Sequence, residues 1–376
     1  MSWATKLEST RVLRSLREAL KTLRPVLVIA AVTQAFNLSV VVKDGFFAQI
    51  YHLRWPRFLP VLLSNLTTVL WGSLALMVAG LMVAELGHRY LALAVIGVLS
   101  FMALATADPT RTLSWPHLGP SALLLAVVVA PPVAWLFDHA KNDHWAATWL
   151  IGVVLLGLAI GAGARVLANH LSWSWLTLPD FLVLPANLAL TWLGLPPLLA
   201  PLTNFAMSPE AAANLNAALA HPSLSTIPYR FTTGTIFAPF ANMGGTGSML
   251  ALVLALALVN RRVAVPELVT ATVNLPLLTL LSTPVILDLR MLIPFFLAPL
   301  ASSGIAALAL WLHLMPPVVY PVPPSTPGPL FAFLGTNGNW SALVVSLLCL
   351  AASVAIYYPF VQGLTQEAKA DAKMVR

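Results

Sequence analysis

NLPLLTLLSTPVILDLRMLIPFFLAPLASSGIAALALWLHLMPPVVYPVPPSTPGPLFAFLGTNGNW, residues 274 to 340, joins long apolar runs to clustered prolines, hydroxyls and one acid–base pair, Asp288 with Arg290. A freed backbone N–H or C=O is costly in hydrocarbon. Apolar chain broken by proline is therefore tolerated at membrane depth only where protein buries it or where it lines a water-filled cavity. An inert membrane anchor needs none of these features. The stretch reads as the wall of a transport site.

The rest of the chain agrees with a membrane setting. Of its 376 residues 59% are hydrophobic and only 9% charged, and mean hydropathy is +0.85, far from the roughly 25% charged residues of a soluble domain. The length suffices for about ten spans, each needing roughly 20 apolar residues to cross about 30 Å of hydrocarbon. A net charge of +7 does not indicate a nucleic-acid partner, because the basic residues form no single patch. Six of the twenty Lys and Arg fall within Lys6 to Arg24, and three more are Lys369, Lys373 and Arg376. Positive ends of this kind predict that both termini are cytoplasmic, hence an even number of spans. The single cysteine, Cys349, excludes disulfides and Cys-rich metal sites within the chain.

Residues 1–24 predict a cytoplasmic amphipathic helix on the membrane surface, with Leu13, Leu16, Leu20 and Leu23 on one face and Arg11, Arg14, Arg17, Lys21 and Arg24 elsewhere. Five apolar runs follow, at 25–42, 59–84, 90–107, 119–137 and 145–167, separated by short polar loops. Pro131 and Pro132 predict a kink in the fourth. The cluster from Asp138 to His144 lacks helical ligand spacing and reads as an interfacial loop, so no metal site is expected. From residue 170 the prolines crowd, nine of them between Pro179 and Pro239, into pieces too short to span. Such pieces predict broken helices and re-entrant hairpins. Residues 264–287 read as a second broken hairpin, followed by spans at 291–315 and 341–361 and a polar tail from 363.

PVILDLRMLIPFFLAPL (Pro284 to Leu300), MPPVVYPVPPSTPGPLFAFLGTNGNW (Met315 to Trp340) and IYYPF (Ile356 to Phe360), in this order and spacing, resemble the C-terminal half of the membrane-embedded enzyme IIC permeases. These belong to the bacterial phosphotransferase system, and the likeness is to the lactose/cellobiose/chitobiose branch. GGTG within TIPYRFTTGTIFAPFANMGGTGSM (Thr226 to Met249) is similar to that family's glycine-rich stretch. The resemblance implies an all-α polytopic membrane protein with about ten transmembrane helices plus two re-entrant hairpins, near 225–247 and 264–287. It implies a scaffold and dimerisation domain at 25–170 and a transport domain at 171–362 that moves in the manner of an elevator. It also implies a homodimer in the bacterial plasma membrane, a mono- or disaccharide as substrate, a separate cytoplasmic phosphocarrier chain as partner, and no cofactor.

The family's substrate-binding histidine and glutamate are missing. Laying PVILDL over the family's PIVLNP puts Leu277, or with a two-residue gap Leu275, where the glutamate of its NINEP-like turn belongs. The histidine's turn corresponds to Thr191 to Pro201, with no histidine near Pro196, and Pro324 replaces the aromatic of a VPWTTP-like turn. No catalytic residue is expected. Candidate substrate-binding residues are the polar survivors Asn274, Ser282, Thr283, Asn242, Thr232, Thr233 and Asp288. Asp288 and Arg290 are two apart, so on a regular helix they diverge, whereas a bent entry to the next span lets them meet. Either a structural role or a place on the substrate path fits them. Gly244, Gly245 and Gly247 fit close helix packing as well as a ligand turn. Two functions follow: a sugar transporter coupled weakly or not at all to phosphorylation, or a non-transporting scaffold or receptor derived from the same fold.

Overall fold

The protein is described by a computed structural model covering residues 10–87, 90–105, 118–138, 152, 180–195, 208–220, 227–260, 265–283 and 285–374. Every regular element among them is helical. In order they are α1 (Arg11–Phe36), a π-helical turn (Asn37–Val41), α2 (Phe46–Tyr51), α3 (Phe58–Gly72), α4 (Leu74–Leu86), α5 (Tyr90–Ala105), α6 (Leu123–Asp138), α7 (Asp180–Trp192) and α8 (Pro209–Ala220). Then come α9 (Thr233–Ile236), a second π turn (Phe237–Ala241), α10 (Met249–Asn260), α11 (Val265–Thr272), α12 (Leu277–Ser282), α13 (Leu289–Trp311), α14 (Gly328–Gly335) and α15 (Trp340–Met374). Four stretches are long and apolar enough to cross a membrane: Arg11–Tyr51, Phe58–Leu86, Leu289–Trp311 and Trp340–Gln366. Shorter apolar helices are Pro120–Leu136, Leu182–Trp192 and Met249–Asn260. The expected fifth span at 145–167, most of the polar loop at 138–144 and the turn around Pro196 lie outside the described residues.

From Arg11 on, the basic N-terminal segment and the first apolar run form one continuous helix. Nothing between Arg11 and Phe36 stops the helix, because a single internal proline, Pro25, removes one backbone hydrogen bond without supplying an alternative turn. Its buried face, Ser15, Leu16, Ala19, Leu23, Leu27 and Ala30, runs unbroken through both halves.

The chain packs as two units. The first holds Met1–Ala30, Asn65–Leu178 and Leu193–Pro196. Within it α4 packs on α5 and α6 through a fully buried row of Leu74, Ala75, Val78, Ala79, Met82 and Val83. Gly80 and Gly97 allow the approach: a Cβ on Gly80 would stand 2.9 Å from Val98, and one on Gly97 2.9 Å from Val83. Small residues that bring backbones together are the usual means of packing helices in lipid, where no hydrophobic force drives association.

The second unit holds Ala31–Ser64, Pro179–Trp192 and Pro197–Arg376. Its centre is α13 and α10 against the long α15. Between α13 and α15 the seam carries hydroxyls: Ser302 Oγ and Ser353 Oγ lie 2.8 Å apart, one donating to the other, and the remaining proton is within reach of the Cys349 carbonyl, 3.2 Å from Ser302 Oγ, or the Ala298 carbonyl, 3.3 Å from Ser353 Oγ. The opposite side of α13 exposes Ile293, Leu297, Leu300 and Leu308, a face suited to hydrocarbon. Further along α15, the buried Tyr357 hydroxyl donates to the Gly247 carbonyl at 2.6 Å. Tyr357→Phe leaves that carbonyl unpaired in a sealed site, which costs about 1–3 kcal/mol. A lower melting temperature of the purified protein in detergent is the expected outcome, with Tyr358→Phe, at a half-exposed neighbour, unchanged.

Candidate functional site

Breaks in the helices of the second unit leave backbone groups without helical partners, and the site is built by what satisfies them. The first break follows α9. Thr232 caps that helix through a reciprocal pair, its hydroxyl accepting from Thr235 N at 3.1 Å while Thr235 Oγ1 accepts from Thr232 N at 2.9 Å. The π turn then ends at Asn242, and a glycine turn follows with φ of 82° at Gly244, 89° at Gly245 and 87° at Gly247. These left-handed conformations are strained for any residue with a Cβ. A Cβ on Gly245 would also overlap the Pro276 ring, so this turn lies directly on the tip of the next break.

That tip is Asn274, with φ 62°, a region asparagine enters more readily than other side chains. The chain reverses there between α11 and α12. The Asn274 amide holds three segments at once: Oδ1 accepts from Gly244 N at 2.9 Å, and Nδ2 donates to the carbonyls of Pro324 at 3.1 Å and Thr326 at 2.7 Å. Prolines 323, 324 and 327 have no N–H, so this turn has few local donors for its own carbonyls. Between those two accepted carbonyls sits the buried Ser325. Its Oγ accepts from Phe46 N at 3.1 Å and donates to the Leu38 carbonyl at 3.2 Å.

Asp288 and Arg290 meet. Asp288 is the N-cap of α13 with extended backbone, φ −103° and ψ 113°, so its side chain swings over the first turn instead of following the helical spiral. One carboxylate oxygen accepts from Arg290 N at 2.9 Å and Nε at 3.1 Å, and the other lies 2.8 Å from Nη2. The Trp192 indole donates to the Asp288 carbonyl at 3.3 Å. The acid is 1% exposed and serves the helix entry.

The expected site residues thus divide. Asn274, Thr232 and Asp288 are engaged as above, and Thr283 Oγ1 donates to the Thr279 carbonyl. Thr233 is half-buried at the first position of α9. Asn242 Oδ1 and Ser282 Oγ are buried oxygens with no hydrogen-bond partner. So are Thr279 Oγ1 and Thr326 Oγ1, neither of them among the expected site residues. Their signal was position alone: each hydroxyl stands within a few residues of a proline break. Glu267, 7% exposed in the first turn of α11, was also missed; an acid directly after Pro266 at a helix start was the available sign. No group of three or more His, Cys, Asp or Glu able to hold a metal occurs among the described residues.

Over 127 residues, 32% of this chain, the sequence is 38% identical to the cellobiose-specific EIIC component of the phosphotransferase system of Lactococcus lactis subsp. lactis (strain IL1403). Over that stretch the chain is similar to a phosphotransferase IIC permease component. The putative permease IIC component YwbA of Bacillus subtilis (strain 168) is 29% identical over 150 residues, 38% of this chain, and the lichenan permease IIC component of the same organism is 28% identical over 136, or 34%. These alignments span 26%, 33% and 30% of the three relatives' own lengths. No family model matches. The crystal structure of the transporter ChbC, the IIC component of the N,N'-diacetylchitobiose-specific phosphotransferase system, aligns over 98% of this chain and 97% of its own, at 19% identity and a TM-score of 0.43.

The Asn274 amide makes a sharp comparison. Asn274→Leu and Asn274→Gly both remove three hydrogen bonds, but only Leu adds left-handed strain of roughly 1–2 kcal/mol. Thermal unfolding in detergent should rank wild type above Asn274→Gly and Asn274→Gly above Asn274→Leu.

Proposed function

We propose that the chain is a membrane permease for a mono- or disaccharide. It works as a homodimer in the bacterial plasma membrane, with residues 171–362 moving in elevator fashion against 25–170. The observation that carries this reading is the pair of buried, unpartnered oxygens Asn242 Oδ1 and Ser282 Oγ, each at the end of a helix break. Buried polar atoms are nearly always paired, and those left open are explained by water, an ion or a ligand that completes them. Hydroxyl and amide oxygens suit the hydroxyls of a sugar, and the names of the sequence relatives point to cellobiose and lichenan. In this reading residues 225–247 and 264–287 are re-entrant hairpins, and both termini are cytoplasmic.

Asn242→Leu and Ser282→Ala are expected to lower affinity for the bound sugar by about five- to a hundredfold each, the range of one or two hydrogen bonds. Isothermal titration of purified protein against a panel of mono- and disaccharides measures this, with Val95→Ala on α5 as control. Equal affinity in all variants would remove both residues from the site.

The sugar is moved unmodified or with weak coupling to phosphate. Leu275 follows Asn274 at the hairpin tip and Leu277 opens α12, so neither candidate position offers a carboxylate. Loss of general-base help costs about 10²–10⁴ in rate. Vesicles containing the protein should accumulate the same free sugar with or without a phosphorylated cytoplasmic carrier chain. Sugar phosphate formed at a family rate would show that another carboxylate has replaced the missing one, with Asp288 the first to test.

The second reading, a non-transporting scaffold or receptor, is favoured by the number of candidate residues already engaged within the protein: Asn274, Thr232, Thr283 and Asp288. Sugar binding without flux across vesicles would select it.

A further inference from the structure

The expected boundary between a fixed and a moving body falls near residue 170, yet Ala31–Ser64 packs with the second unit. The contact responsible is specific. Ser325, 5% exposed, uses its hydroxyl twice, accepting from Phe46 N at 3.1 Å and donating to the Leu38 carbonyl at 3.2 Å. It therefore bridges the π turn after α1 and the first residue of α2. Gly45 shows how closely those two pieces fold together, since a Cβ there would lie 2.6 Å from the Ser39 carbonyl oxygen and 2.7 Å from that of Leu38. On its other side the same turn is fixed by the Asn274 amide on Pro324 and Thr326. The glycine turn, the Asn274 tip, the 324–326 turn, the π turn and α2 thus form one continuous hydrogen-bonded block.

We propose that residues 37–51, far from the hairpins in sequence, belong to the moving body, with Ser325 as the clasp. The flexing point of the first span then lies inside α1, not at a loop. α1 is the helix that passes from one unit to the other at Ala30–Ala31. Five residues before that crossing, Pro25 has no N–H for the carbonyl of residue 21, so the helix already lacks a bond where bending is needed. This rests on the two-body movement proposed above. It replaces a division by sequence position with one set by hydrogen bonds.

Two measurements on the full chain in nanodiscs test it. Spin labels in a Cys349→Ala background at Tyr51 and Leu330 should keep the same separation when a bound sugar is added, while a pair at Tyr51 and Val95 should shift. A sugar-dependent shift in the first pair with a constant second pair would place residues 37–51 with the fixed body and overturn the proposal. Constancy of both pairs would overturn it together with the two-body movement. Hydrogen exchange then separates the clasp from the motion. Ser325→Ala should speed exchange of the Phe46 amide by about tenfold, the size of a typical net hydrogen bond, and leave Leu74–Leu86 unchanged. Unaltered protection at Phe46 would refute the clasp whatever the protein transports.

Discussion

A backbone group that leaves a helix inside a bilayer has to find a partner, and in this chain one side-chain amide ties two other turns to its own. The Asn274 amide presents an acceptor to the glycine turn and two donors to the proline-rich turn, groups that neither turn could pair by itself. A leucine has neither function, and a hydroxyl has one donor where two carbonyls are held. Asparagine also tolerates the left-handed backbone that the hairpin tip requires, so conformation and hydrogen bonding select the same residue. The broken region follows from this contact: where the amide reaches, irregular chain is admissible, and outside it the long helices resume.

Much of that arrangement was legible in the sequence, for local reasons. Apolar length marks α13 and α15, proline density marks the breaks, and three glycines in four residues mark a turn with positive φ. The meeting of Asp288 with Arg290 follows from the cap position of the acid, which a helical wheel hides and a bent helix entry allows. What sequence did not disclose is long-range. Ser325 finds Phe46 and Leu38 across 279 and 287 residues, and no periodicity connects them. The continuity of α1 was missed for the opposite reason. Its change from basic to apolar looks like a boundary, but helix geometry responds to backbone breakers and not to hydropathy.

The engaged and open polar groups describe a division of labour. Asn274 and Asp288 are committed to holding breaks in place, whereas Asn242, Ser282 and Thr279 retain open oxygens. The open oxygens of Asn242, Thr279, Ser282 and Thr326 are neutral and can accept hydrogen bonds.

The length of α15 sets a distance that no loop could set. Trp340 opens the helix and is 71% exposed, as suits an aromatic at a membrane interface. Tyr357 follows 17 residues later, which at a helical rise of 1.5 Å per residue is about 26 Å along the axis. Its hydroxyl holds the Gly247 carbonyl. A rigid rod thus acts as a ruler: it fixes how far along its axis from Trp340 the irregular turn is held, through a single phenolic hydrogen bond.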